Sequence, residues 1–125
     1  MGRALNLSQF QHNVTDGTTT VGTGFVVNGS AKAWANVSSN LSTVNDSLNI
    51  SSATDLGTAN CKVTYANSLG NYPSASVEAD ASTGAPWFTV IDDLTAIYCA
   101  SATFTNEGSL QDGRAPYFII HGDLA

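Results

Sequence analysis

The dominant period along this chain is two. "TTVGTGFVV" (19–27) alternates and runs into Asn28-Gly29, a dipeptide suited to a tight hairpin turn, before "SAKAWANV" (30–37). In that second segment Ala31, Ala33, Ala35 and Val37 fall on one side of an extended chain, and Lys32, Trp34 and Asn36 on the other. The two segments read as a hairpin. "TVNDSLNI" (43–50) sets Val44, Leu48 and Ile50 against Asn45, Ser47 and Asn49, with Asp46 the exception. "ANCKVTY" (59–65) sets Ala59, Cys61, Val63 and Tyr65 against Asn60, Lys62 and Thr64. Both predict half-buried strands. Between them "SSATDLGT" (51–58) carries Asp55 and Gly57, which predict a turn.

Further strands are predicted at "SASVEADA" (74–81) and at "PWFTVID" (86–92), which is bulky and β-prone. The longest alternation follows, with Leu94, Ala96, Tyr98, Ala100, Ala102 and Phe104 on one face and Thr95, Ile97, Cys99, Ser101 and Thr103 on the other. Glu107-Gly108 and Asp112-Gly113 mark loops, and "APYFIIHG" makes a last strand whose Pro116 sits at its start, where a strand tolerates proline. The pattern predicts an all-β fold, an antiparallel β-sandwich or jelly roll of about eight strands, with residues 19–125 forming a single domain. Residues 1–18 stand apart. Leu5, Leu7, Phe10 and Val14 lie at mixed spacing that fits a short helix or an extended arm, so this segment is expected to be an N-terminal arm that docks on a neighbour.

Composition changes the picture in one respect. Charged residues make up 11% of the 125-residue chain, against about 25% in an ordinary domain; Ser, Thr, Asn and Gly supply the polarity instead. Such a surface suits a sheet protein packed against copies of itself, because unpaired charges are costly to bury. The net charge is −6 and the only basic residues are Arg3, Lys32, Lys62 and Arg114, which leaves no footprint for a phosphate backbone. Nucleic acid is not an expected partner. No apolar run is long enough to span a bilayer, and "MGRALNLSQFQHNV" lacks the apolar centre of a signal peptide, so the expectation is a soluble chain made in the cytoplasm without membrane insertion.

Candidate chemistry is sparse. Cys61 and Cys99 are 38 positions apart in no zinc pattern; they read as small buried hydrophobes, with a disulfide or a reactive thiol as the alternatives. His12 and His121 lie near opposite ends without a nucleophile motif beside either. Among the carboxylates, Asp92-Asp93 or Glu78 with Asp80 would be the pairs for a glycan hydrolase, yet neighbouring strand residues point to opposite faces and Glu78 shares its face with Ser and Thr. Calcium binding by Asp92 and Asp93 has no diagnostic spacing. No catalytic residue, metal site or cofactor is therefore expected. Asn-X-Ser/Thr triplets occur at Asn6, Asn13, Asn28, Asn36, Asn40, Asn45 and Asn49, a number that the Asn, Ser and Thr content alone produces.

Aromatic residues suggest recognition. Tyr72, Trp87 and Tyr117 each stand at a loop-to-strand junction, where a ring can stack on a sugar or fill an interface; packing in the core is the alternative for each. In "SAKAWANV" the small residues Ala33 and Ala35 let another layer approach closely, so that face is expected inside. Lys32, Trp34 and Asn36 then form a candidate oligomer interface, with Trp34 filling a gap and the Lys32 stem lying along apolar surface; Trp34 buried in its own subunit is the alternative.

One ordered stretch is more specific. "GSAKAWANVSSNLSTVNDSLNISSATDLGTANCKVTYANSL" resembles a segment recurring in tail-fibre and related virion proteins of bacteriophages, whose usual form runs AKAWVNF, a Gly- or Thr-rich turn, SFNVSS and TDxGTGxYTVNF. Ala31-Lys32-Ala33-Trp34, Leu48-Asn49-Ile50-Ser51-Ser52, Thr54-Asp55-Leu56-Gly57-Thr58 and Lys62-Val63-Thr64-Tyr65 occupy those places, with Ala35 and Val37 replacing larger Val and Phe. The resemblance implies a trimeric, β-rich virion part with no cofactor and no catalytic residues. The expected function is that of a tail-fibre or host-recognition protein, assembling as a homotrimer, binding other virion proteins through its N-terminal segment and a host surface glycan through its loops. A capsid or tail decoration protein is the alternative, and a small glycan hydrolase comes third.

Overall fold

The computed structural model describes residues 9–14, 17–22, 29–70, 73–79, 87–105, 107–111 and 115–123. The chain divides into two units, Met1–Ser30 and Ala31–Ala125.

In the first unit β1 (Gln9–Val14) pairs antiparallel with β2 (Gly17–Gly22). Residues 9–14 are thus strand and not helix. Residues 23–28 of the expected hairpin between 19–27 and 30–37 lie outside the described residues; among those described, β2 takes β1 as its partner and both edges of β3 (Ala33–Val37) are occupied by other strands.

The second unit is a sandwich of two four-stranded antiparallel sheets. One has the order β4-β3-β10-β7, built from β4 (Val44–Leu48), β3, β10 (Pro116–His121) and β7 (Ser74–Ala79). The other has the order β5-β6-β9-β8, built from β5 (Ile50–Gly57), β6 (Asn60–Tyr65), β9 (Tyr98–Thr105) and β8 (Trp87–Leu94). Its core is what period two requires: Ala33, Ala35, Val37, Phe118 and Ile120 from the first sheet meet Cys61, Val63, Tyr65 and Cys99 from the second, and Leu41 and Leu69 plug the ends from loops.

Two predicted boundaries move for identifiable reasons. The run 43–50 breaks at Asn49, which adopts a left-handed φ of 55°, so the chain leaves one sheet at Leu48 and enters the other at Ile50. Asn67 fixes that corner: its backbone N–H donates to Asn49 Oδ1 at 2.8 Å, and the Ala66 N–H donates to the Asn49 carbonyl at 3.0 Å. The expected turn at 51–58 is consequently mostly strand, and the actual reversal is compressed to Gly57–Asn60, where Gly57 has φ 112° and its N–H bonds Asp55 Oδ1 at 2.8 Å. The alternation 94–104 is likewise split by a turn, because the Thr95 hydroxyl accepts from the N–H groups of Ile97 (3.2 Å) and Tyr98 (3.1 Å).

Candidate functional site

Strands β3, β10 and β7 of the β4-β3-β10-β7 sheet turn one face to the core, and the antiparallel register decides which residues share the other face with β4. Trp34 stands opposite Leu48 on one side and Ile119 on the other, and Ile119 stands opposite Ser76. The next row is Asp46, Asn36, Tyr117 and Glu78. On the far side of the Trp34 row, His121 stands opposite Ser74. The outward face thus carries a central apolar row, Leu48–Trp34–Ile119, beside an acidic and aromatic one. Leu48 is 50% exposed, Ile119 49% and Tyr117 40%, while Trp34 is half-buried. At the edge, a bulge between Asn36 and Val37 pushes Asn45 out of the ladder, and its amide donates to Asn36 Oδ1 at 3.0 Å.

The structure brings together two sets of residues that the sequence presented separately. Trp34 and Asn36 lie on the same surface as Tyr117, one strand apart. Leu48 and Ile119, which complete the apolar row, were not among the sequence candidates; their signal was present as apolar residues at the edge of a polar strand and beside Tyr117, but only the register shows them side by side. Lys32 departs from expectation. It is only 7% exposed, and its N–H bonds the Ile120 carbonyl at 2.8 Å although Ile120 pairs with Ala33, so the ladder slips at the start of β3 and Lys32 leaves the outward alternation. Tyr72 and the side chain of Trp87 lie outside the described residues, as do residues 1–8 of the expected docking arm and Asp80.

The opposite sheet packs some side chains over its own outward face, where Phe88 and Val90 are nonetheless 48% and 39% exposed. The Lys62 ammonium sits 5.5 Å from the centroid of the Tyr98 ring, and the Tyr98 hydroxyl donates to Asp93, which raises the tyrosine pKa above its ordinary value. Phe88 and Phe104 stack with centroids 5.5 Å apart. Under these side chains Ala100 and Ala102 are buried although they face outward.

Reactive groups are placed without a reaction centre. Cys61 and Cys99 are free and buried on the core side of adjacent strands; burial, reinforced by Asp55 at Cys61 and by the neighbouring thiol and Asp93 at Cys99, pushes both up to about 12. Burial also raises the Tyr65 phenol, whose hydroxyl, like that of Ser101, is buried without a hydrogen-bond partner. Among the described residues no three His, Cys, Asp or Glu gather to hold a metal ion, and no helix is long and apolar enough to cross a membrane. Four of the triplet asparagines make structural hydrogen bonds: besides Asn36, Asn45 and Asn49, Asn40 Oδ1 accepts from the N–H groups of Ser42 (3.1 Å) and Thr43 (3.0 Å) to shape the β3–β4 loop, while Asn6, Asn28 and the side chain of Asn13 lie outside the described residues.

No family model, curated protein or solved structure matches this chain.

Proposed function

We propose that this protein is a bacteriophage virion structural protein of the tail-fibre or host-recognition type, acting by self-assembly and by binding. The observation that carries the assembly part of the reading is the outward Leu48–Trp34–Ile119 row, an apolar strip on a sheet that already has a complete core on its other side. A folded domain gains nothing from exposing such a strip, whereas an assembled one buries it. The resemblance over residues 29–69 supplies the particle, and the low charge content suits a surface covered by neighbours. In an assembly, several copies of a weak receptor contact act together, so modest glycan sites yield useful avidity.

Electron microscopy of intact particles with an antibody against this chain tests the reading. Label at the tail supports it. Label over capsid capsomers replaces it with the decoration protein, and absence from purified particles removes both.

A further inference from the structure

We draw no further inference here: the strongest candidate, the outward face of the β8–β9 pair, where Phe88 and Val90 stay exposed beside the buried Ala100 and Ala102, is an apolar patch for which nothing in the structure shows what covers it.

Discussion

Within the β4-β3-β10-β7 sheet, β3 inverts the usual distribution of side-chain size between its faces and β10 keeps it. On β3 the inner face is Ala33, Ala35 and Val37 and the outer one holds Trp34; on β10, Phe118 points in and Ile119 points out. Small residues inside let the second sheet approach, so the fold is stabilised by close packing of backbone layers around a few large residues such as Phe118. Large residues outside contribute nothing to that packing. The difference separates two tasks by a single residue step along the strand: the inner set holds the monomer together and the outer set is left for contact with something else.

That separation is strongest where it predicts opposite outcomes for neighbours in sequence. Phe118→Ala removes the largest fully buried side chain and is expected to lower stability by about 3–5 kcal/mol, measured by urea unfolding, with no change in association per folded molecule. If it unfolds with the parent's midpoint, the inner face is not the stabilising one.

Alkaline titration probes the same interior at Cys61 and Cys99, whose folded pKa values of about 12 lie above the ordinary 9.0. Above pH 9 the unfolded chain releases these protons and the folded one retains them, so stability is fully present below that pH and falls as pH rises toward 12. Cys61→Ala with Cys99→Ala flattens this part of the profile. A labelling reagent should leave both thiols untouched at pH 8 until the protein is unfolded.

Ala35→Leu overpacks a buried core position of the sandwich and is expected to cost about 1–3 kcal/mol. The smallest effect on the monomer, within about 1 kcal/mol, belongs to Trp34→Ala, one position away and the largest residue of the strand. Its consequence appears in the association constant. Should Trp34→Ala prevent folding and Ala35→Leu be silent, the roles of the two faces are reversed.

Much of this was legible in the chain. Alternation at 33–37, 60–65 and 116–121 places each residue on a face without knowledge of any partner, because successive strand side chains point to opposite sides whatever lies across from them. Ala33 and Ala35 on one face, with Trp34 on the other, follow from that alone, whereas the burial of the alanine face is settled by the structure. The all-β class and the strand spacing follow as well. Pairing did not, since β3 chooses β10 from the far end of the chain over the local hairpin offered by Asn28-Gly29. The corner at Asn49 was equally hidden, because its left-handed backbone is held by Asn67, a residue distant in sequence.

The sequence by itself therefore determined which side chains share a face within each strand, a local property of the extended backbone. Only the tertiary structure decided which strands lie side by side, and with them that Leu48, Trp34 and Ile119 form one row and that Tyr117 stands beside it, because hydrogen-bond register between distant segments is set by the packing of the whole sandwich.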